Sequence, residues 1–154
     1  WQQRVKKGPT IWSVRLWRNW TLSEKFVVIW AISRASSNGD DQWVMVRHKD
    51  RGWELPGGQL VEGETEDFAA LRELYEETGM LGVAKAVDFG LIQDGCVVLV
   101  EVDQSPRPES WQSSDDSIEE VGWCIAVPEN CAWGADEIES IRAHDWSASI
   151  TLES

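Results

Sequence analysis

Cysteine and long apolar runs are both scarce in this sequence. Only three residues of 154 are cysteines, Cys96, Cys124 and Cys131, and none of them belongs to a Cys-x-x-Cys pair. An odd number without paired spacing argues against a disulfide framework, so we expect reduced thiols in a cytoplasmic protein. The longest apolar run, residues 26–32, is far shorter than the about 20 residues that cross a bilayer. No N-terminal signal pattern is visible, and no membrane partner is expected.

Positive charge is also scarce. Fourteen lysine and arginine residues stand against 27 aspartate and glutamate residues, which leaves a net charge of −13. A protein this acidic is not expected to bind nucleic acid stably or to adhere to an anionic membrane. An anionic small molecule can still be its partner if a divalent metal supplies local positive charge. The sequence leaves a homodimer open.

The length of the chain predicts one domain. Residues 1–10 are polar and without a clear pattern, so we expect a loose N-terminal arm followed by a single domain over residues 11–154. Basic residues concentrate in the first 25 positions, whereas the rest of the chain is acidic. This contrast predicts either self-complementation of charge, which we favour, or a basic rim that binds phosphate.

Alternation and β-branched runs predict six strands, at residues 12–17, 26–32, 43–47, 88–93, 96–102 and 118–125. The second of them is continuously apolar, which is typical of a central strand buried on both faces. A turn cluster with Asn38 and Gly39 predicts that the second and third strands form a hairpin. The segment between the last two strands is long and contains two prolines, so we expect a functional or disordered loop there.

Two helices are predicted in addition. Thr65 is the expected N-cap of the first helix, which runs to Thr78 and ends before Gly79, a residue suited to the left-handed C′ position. We expect its apolar side to consist of Phe68, Leu71, Leu74 and Tyr75. The second helix is predicted at residues 135–144. Strands mixed with two helices indicate an α/β or α+β fold.

A lysine is missing where a phosphate-binding loop would need it. Residues 58–65 have the spacing of the Gly-x-x-x-x-Gly-Lys-Ser/Thr loop, but Glu64 stands at the lysine position. A carboxylate at that position repels phosphate groups. Phosphate chemistry at this loop therefore requires a metal.

Three glutamates do occur at helical spacing within the first predicted helix. Glu73, Glu76 and Glu77 occupy positions i, i+3 and i+4, which share one face. Acidic stretches of this kind are most often solvated surfaces. Here a glycine-rich turn precedes them at residues 57–63, and carboxylates in this arrangement suit Mg²⁺ or Mn²⁺. A metal on such a face predicts chemistry on phosphates.

Residues 58–80 resemble the signature of the Nudix hydrolases. The spacing agrees at every specified position of that box, which are Gly58, Glu64, Arg72, Glu73, Leu74, Glu76, Glu77, Gly79 and Met80. The resemblance implies an α/β fold, namely a Nudix-type α/β/α sandwich around a mixed β-sheet. It also implies hydrolysis of a pyrophosphate bond by water attack on phosphorus, with Mg²⁺ or Mn²⁺ as cofactor.

The resemblance implies a role for each matching residue. The metal ligands would be Gly57, through its backbone carbonyl, Glu73, Glu76 and Glu77. One of these carboxylates, or another glutamate nearby, would orient the attacking water. Structural roles in the box would fall to Gly58, Glu64, Arg72 and Gly79. Many members carry a further catalytic glutamate late in the chain, and Glu120 is the candidate here, although Ser117 occupies a position that is commonly acidic.

The segment that leads into the box resembles small members that act on nucleoside triphosphates, including oxidised ones. The candidate substrate contacts are Arg47, Arg51, Trp53 and Trp111. The arginines would contact phosphates and the tryptophans would stack on a base. The plainer alternatives are ordinary exposed arginines and a Trp111 that pins the long loop to the body of the protein.

The resemblance leaves several functions open. A (d)NTP or oxidised (d)NTP is the first expectation for the substrate, with ADP-sugars, dinucleotide polyphosphates and capped RNA as alternatives. A non-catalytic nucleotide-binding module of the same fold is disfavoured because the box glutamates are all present. An isomerase that acts on an isoprenoid diphosphate would rely on a cysteine before the box, whereas the first cysteine here is Cys96.

Overall fold

The structure, a computed structural model, describes residues 25–35, 42–132 and 134–152. The predicted arm, the predicted strand at residues 12–17 and the predicted hairpin turn lie outside these residues. The strands are β1 (Phe26–Ser33), β2 (Trp43–His48), β3 (Gly52–Glu54), β4 (Gly57–Gln59), β5 (Gly82–Asp88), β6 (Gly95–Val102), β7 (Ile118–Cys124) and β8 (Ile150–Thr151). The helices of the described residues are α1 (Glu66–Thr78) and α2 (Ala135–Arg142), with a 3₁₀ turn at Trp146–Ala148.

The strands form two sheets. A mixed five-stranded sheet has the order β4-β1-β6-β5-β8, and a three-stranded antiparallel sheet has the order β3-β2-β7. β1 runs parallel to β6 along its whole length and antiparallel to β4, with Val27 opposite Gly58 and Val28 opposite Gly57. The mixed sheet is therefore confirmed, and the first glycines of the box lie beside a buried central strand.

The predicted hairpin between residues 26–32 and 43–47 is wrong. Both strands form, but β1 pairs with β4 and β6, whereas β2 pairs with β3 and β7. Both strands are buried almost throughout, so long-range partners on both edges outweigh the local turn signal. Residues 55 and 56 connect β3 in one sheet to β4 in the other, which brings the two sheets together at the start of the box.

Two apolar clusters lie on either side of β1, because successive side chains of a strand point to opposite faces. The first cluster lies against α1 and contains Val27, Ile29, Ala31, Ala69, Ala70 and Leu74. The second lies against α2 and contains Phe26, Val28, Trp30, Ile138 and Ile141. Each large apolar side chain in them contributes about 1.5–3 kcal/mol through the hydrophobic effect. Helices on both faces confirm the predicted α/β/α sandwich.

Helix α1 has the predicted ends but not the predicted buried face. It follows the N-cap Thr65 and ends before Gly79, whose φ of 78° is in the left-handed region that favours glycine. Of the four expected apolar residues only Leu74 is fully buried, whereas Phe68 and Tyr75 are 67% and 55% exposed. The buried face consists of Ala69, Ala70, Leu74, Glu77 and Thr78. The small alanine side chains let the helix approach the sheet closely, and one glutamate of the acidic trio faces inward with them.

The strand predicted at residues 88–93 is also wrong. The strand β5 precedes that segment, and the chain then turns before β6, with a positive φ of 59° at Asp94. The sequence of β5 does not show a clear alternation of apolar and polar residues, because the strand contains small residues and a bulge between Ala84 and Ala86. The strands at 96–102 and 118–125 and the helix at 135–144 are confirmed, with ends that differ by at most two residues.

The C-terminal segment is tied to the end of β5. Ser149 Oγ donates a hydrogen bond to Asp88 Oδ2 at 2.8 Å, and His144 Nε2 lies 3.2 Å from the same oxygen. Burial of Asp88 favours its neutral form, but the bonds from Ser149 and the Gly90 N–H, together with His144, outweigh burial and lower the pKa of Asp88. The carboxylate therefore serves as the acceptor that holds β8 and the 3₁₀ turn against the mixed sheet.

The cysteines are free thiols. Burial raises the pKa of Cys96 to about 12 and that of Cys124 to about 11, so both thiols are protonated at neutral pH. Within the part of the chain that the structure describes, no helix has the length and apolar character needed to cross a membrane.

Candidate active site

A cavity of about 550 Å³ opens where several parts of the chain meet. Its ionisable lining residues are His48, Arg51, Arg72, Glu73, Glu77 and Asp115. They come from the end of β2 and the turn after it, from α1, and from the loop before β7. The segment at residues 57–61 forms a further part of the wall. The cavity therefore joins part of the box to residues from distant elements.

Glu77 faces the cavity from the buried side of α1. The residue is 7% exposed, and its Oε1 accepts a hydrogen bond from the Gly57 N–H at 3.2 Å. A buried carboxylate needs such a donor, because an unpaired charge in the interior is costly. The bond joins the helix to β4 and holds the Glu77 carboxylate next to the backbone of Gly57.

Glu73 reaches the cavity across Gly58. A Cβ placed on Gly58 would lie 2.5 Å from Glu73 Cδ and would overlap one of the carboxylate oxygens. The box requires glycine at this position because any side chain would occupy the space of the Glu73 carboxylate. The structural role of Gly58 is thus steric, whereas Gly79 has the expected left-handed φ.

Arg72 links the loop of the box to its helix. Its guanidinium donates to both oxygens of Glu64, with an Nη2–Oε1 distance of 3.0 Å, and to the backbone oxygen of Gln59 at 3.2 Å. Nη1 of the same side chain lies 3.2 Å from a Glu73 oxygen and 3.3 Å from a Glu76 oxygen. Arg72 therefore offsets the charge of three glutamates while it braces the loop, which is the contact that a structural pair with Glu64 requires.

The ion pair between Glu64 and Arg72 predicts a stability that depends on pH. The hydrogen bond from Arg72 lowers the pKa of Glu64 from its usual 4.5, so this carboxylate stabilises the fold above pH 4.5 and loses that effect as the pH falls through its folded pKa. Glu64→Gln is expected to lower the free energy of unfolding by about 1.5–3 kcal/mol at pH 7. Urea unfolding of both proteins from pH 7 to pH 3 should show the difference shrinking at acidic pH.

Glu62→Gln is the matched control for that measurement, because Glu62 is an exposed glutamate of the same loop. Its substitution is expected to change the free energy of unfolding little at any pH. A difference between the Glu64→Gln variant and the original protein that stays constant on acidification would contradict the role of the ion pair.

Glu76 is the most exposed of the three box glutamates. Its side chain is 53% exposed, and it does not line the cavity. In the described ranges, no three histidine, cysteine, aspartate or glutamate side chains converge as a metal-binding group. The donors at the cavity still suit a hard cation, because the carboxylates of Glu73 and Glu77 adjoin the backbone of residues 57 and 58. The residues present therefore fit Mg²⁺ or Mn²⁺.

Glu120, the predicted late carboxylate, does not line the cavity. It stands opposite Arg47 in the register of β7 and β2, and its Oε2 lies 3.9 Å from Arg47 Nε. Arg47 Nη2 also lies 3.2 Å from a Glu119 oxygen, so these charges neutralise one another on the antiparallel sheet. The structure thus places both Arg47 and Glu120 outside the cavity.

Asp115 is the cavity carboxylate that the sequence prediction missed. Its Oδ1 accepts hydrogen bonds from the N–H of Ser117 at 2.9 Å and from the hydroxyl of Ser117 at 2.7 Å. An aspartate two residues before a serine is typical of a turn in which the side chain binds the backbone. The sequence signal for Asp115 was therefore this aspartate–serine pattern just before the predicted strand at residues 118–125. The start of that strand places the turn next to the box.

The two predicted stacking tryptophans also lie outside the cavity lining. Trp111 Nε1 donates to the backbone oxygen of Thr78 at 2.9 Å, and the Arg107 guanidinium lies 4.7 Å from the ring centroid. These contacts pin the long loop to the end of α1, as the plainer alternative expected. Trp53 packs against the apolar cluster beside α2. Of the four candidate substrate contacts, only Arg51 lines the cavity.

Comparison with known proteins agrees with this fold and with the position of the box. The Nudix domain matches residues 28–126, which is well over half of the chain. The chain belongs to the Nudix family. The matched range runs from β1 to the end of β7, so it contains the Nudix box and every ionisable residue of the cavity.

Individual Nudix relatives are similar over shorter stretches. An 8-oxo-(d)GTP phosphatase of Mycolicibacterium smegmatis is 52% identical over 42 residues, which are 26% of this chain and 13% of the relative. An RNA pyrophosphohydrolase of Brucella ovis is 40% identical over 57 residues, which are 37% of this chain and 30% of the relative. The matches therefore span less than a third of the length of either curated relative.

The solved structure of the MutT protein of Bacillus halodurans is similar over most of this chain. It aligns with a TM-score of 0.50 and 19% identity over 79% of this chain and 84% of that one. At this identity the likeness shows the Nudix fold alone.

Proposed function

We propose that the protein is a Nudix pyrophosphohydrolase that cleaves a pyrophosphate bond in a nucleoside diphosphate-linked compound by water attack on phosphorus. The observation that carries this proposal is the juxtaposition of Glu73 and Glu77 with the backbone of residues 57 and 58 at one cavity. Oxygen donors from a helix and a strand suit a divalent cation there. In so acidic a protein, such a cation is what allows an anionic substrate to bind.

Mg²⁺ or Mn²⁺ is the proposed cofactor, and the Nudix family generally uses divalent metals of this kind. The residues that would hold it are Gly57, through its carbonyl, Glu73, Glu76 and Glu77. When bound, the metal supplies positive charge to the phosphate oxygens and lowers the pKa of the attacking water. Arg72 keeps the loop of the box in contact with the acidic face of the helix through its bonds to Gln59 and Glu64.

The carboxylates of the cavity are proposed to orient the water and accept its proton. Glu77 is suited to this role because the Gly57 N–H fixes one of its oxygens beside the cavity. Among the late carboxylates, Asp115 lines the cavity and Glu120 does not, so we assign the additional carboxylate role to Asp115. Its oxygen is held in place by the two bonds from Ser117.

A (d)NTP or oxidised (d)NTP is the proposed substrate. The cavity volume of about 550 Å³ is within the range of small-molecule sites. The relative named as an 8-oxo-(d)GTP phosphatase supports this choice, and the relative named as an RNA pyrophosphohydrolase supports an RNA substrate, so capped RNA is the second candidate. ADP-sugars and dinucleotide polyphosphates contain the same type of bond and complete the set to be tested.

We also propose that residues 11–154 act as a single cytoplasmic domain with residues 1–10 as an arm, and that a homodimer can form. The family match lies within this proposed domain. The net charge of −13 supports a small-molecule partner rather than stable binding to nucleic acid.

A substrate panel with Mg²⁺ tests the proposed function. We expect turnover of nucleoside triphosphates, with phosphate, pyrophosphate or a nucleoside monophosphate released and separated by chromatography, and complete loss of turnover in EDTA. The identity of the products shows which phosphorus the water attacks. Preferred turnover of 5′-capped RNA would replace (d)NTP by the second candidate. Silence across the panel in a protein that binds Mn²⁺ would overturn the hydrolase and indicate a binding module.

A further inference from the structure

Glu54 is a buried charged residue without a role in the proposed chemistry. It is the last residue of β3, lies opposite Val46 of β2 and is 1% exposed. Among the described residues only Arg51 donates to its carboxylate, with Nη2–Oε2 at 3.2 Å and Nε–Oε1 at 3.4 Å. Burying an ion pair is costly, and apolar residues of similar size often stabilise a protein equally well. The presence of this buried ion pair therefore indicates that the charged side chain of Arg51 has a function other than stabilising the fold.

Arg51 lines the cavity, and its side chain is 29% exposed. A guanidinium carries five N–H donors in one plane. Nε and one hydrogen of Nη2 are directed to Glu54, which leaves three N–H donors with no acceptor in the part of the chain that the structure describes. These donors form a planar group at the edge of the cavity that can bind an oxyanion.

The other basic groups at the cavity are already engaged. Arg72 donates to three glutamates and a backbone carbonyl. His48 Nδ1 accepts the Asp50 N–H at 3.1 Å. Within the described residues, Arg51 is thus the lining cation that retains donors for a ligand.

We propose that Glu54 is a positioning residue that holds Arg51 as an anion subsite for a phosphate group of the nucleotide substrate. This inference rests on the proposed function, because the subsite belongs to the same cavity. Contact of Glu54 with two nitrogens fixes the plane of the guanidinium, so a phosphate meets donors that are already ordered. The subsite lies on the β2–β3 turn, whereas the proposed metal ligands lie on the box, and the two together can bind different phosphate groups of one substrate.

Binding of inorganic pyrophosphate and of a non-hydrolysable nucleoside triphosphate analogue, measured by calorimetry, tests the subsite without turnover. The double substitution Arg51→Gln with Glu54→Gln removes both charges and leaves no unpaired buried charge. We expect it to weaken binding by about tenfold to a hundredfold, the effect of a lost charge-assisted hydrogen bond. Glu54→Gln alone should cause a smaller loss, because Arg51 keeps its charge but is no longer held in place.

Nonadditivity separates a positioning role from a merely structural one. If Glu54 acts through Arg51, Glu54→Gln should weaken binding in the original protein and have no further effect once Arg51 is glutamine. In turnover, the Glu54→Gln variant and the double variant should each have a raised KM and a nearly unchanged kcat. Lys49→Gln is the matched control, because it removes an exposed cation of the same turn that does not line the cavity, and it should bind both probes as the original protein does.

Folded variants that bind pyrophosphate with unchanged affinity would overturn the subsite. If Glu54→Gln does not fold, the double variant decides, since it contains a neutral pair. The proposed function fails in a different way: Arg51-dependent pyrophosphate binding without turnover of any nucleotide would leave the subsite standing and overturn the hydrolase. Turnover with an unchanged KM in the double variant would overturn the subsite and leave the hydrolase standing.

Discussion

Glu77→Gln is expected to lower the Mg²⁺-dependent turnover by about 10²–10⁴-fold, the usual contribution of a positioned proton acceptor. The substitution removes the charge proposed to hold the metal and to accept the proton of the water. The glutamine oxygen can still accept the Gly57 N–H that Glu77 accepts at 3.2 Å, so we expect the fold to be retained. Steady-state kinetics with the preferred substrate of the panel, together with circular dichroism and thermal unfolding, measures both effects.

Titration with Mn²⁺ shows how Glu77 acts. Weaker Mn²⁺ binding together with lost turnover supports a ligand role, whereas lost turnover with unchanged Mn²⁺ affinity assigns Glu77 to the water alone. The control is Glu139→Gln, which makes the same chemical change on the exposed side of α2, where Glu139 forms a surface ion pair with Arg142 at 3.8 Å. Full turnover in Glu77→Gln would show that this carboxylate has no part in the reaction.

Gly58→Ala is expected to reduce turnover by about a hundredfold or more, because a displacement of a catalytic group by about 1 Å can have an effect of this size. The new methyl group would lie 2.5 Å from Glu73 Cδ, so the carboxylate must move away from the cavity. The end of a glutamate side chain is flexible and can rotate aside. We therefore expect a large loss of activity with only a small loss of stability, measured by kinetics and by thermal unfolding.

Gly122→Ala in β7 is the matched glycine control. A Cβ at Gly122 would meet its nearest atoms at 3.8 and 3.9 Å, which is ordinary van der Waals contact. This variant should keep both its turnover and its stability. A Gly58→Ala protein with the turnover of the original would contradict the steric role of the glycine. A Gly58→Ala protein that does not fold would show that the loop, and not the carboxylate, takes up the clash.

Local features of the site were predictable because they depend on neighbours within a turn or two. The helix follows Thr65, as expected, and it ends before Gly79 because glycine adopts the left-handed conformation without strain. The contact between Arg72 and Glu64 joins two positions of one motif, and the resemblance assigned a structural role to both. The apolar run of β1 correctly indicated a strand buried on both faces. In each of these cases the pattern and the outcome concern the same short stretch of chain.

Errors arose where distant parts of the chain compete. The Asn38–Gly39 turn favoured a hairpin, but β1 and β2 lie in different sheets, each paired with strands on both of its edges. Periodicity placed Phe68 and Tyr75 on the buried side of α1, yet the alanines of the neighbouring face pack closer to the sheet. Glu120 and Asp115 are five positions apart, but the register of β7 with β2 places Glu120 opposite Arg47, whereas Asp115 lies at the cavity from the loop before β7.

The sequence alone identified the family and the element that carries its motif. The residues of the Nudix box lie in one loop and one helix, so their spacing can be recognised without knowledge of the rest of the fold. The tertiary structure alone decided what stands around that helix. It turned Glu77 inward, brought Asp115 and Arg51 to the same cavity and placed Glu54 behind Arg51. Strand pairing over long separations set these positions, and a pattern in one short segment carries no information about its distant partners.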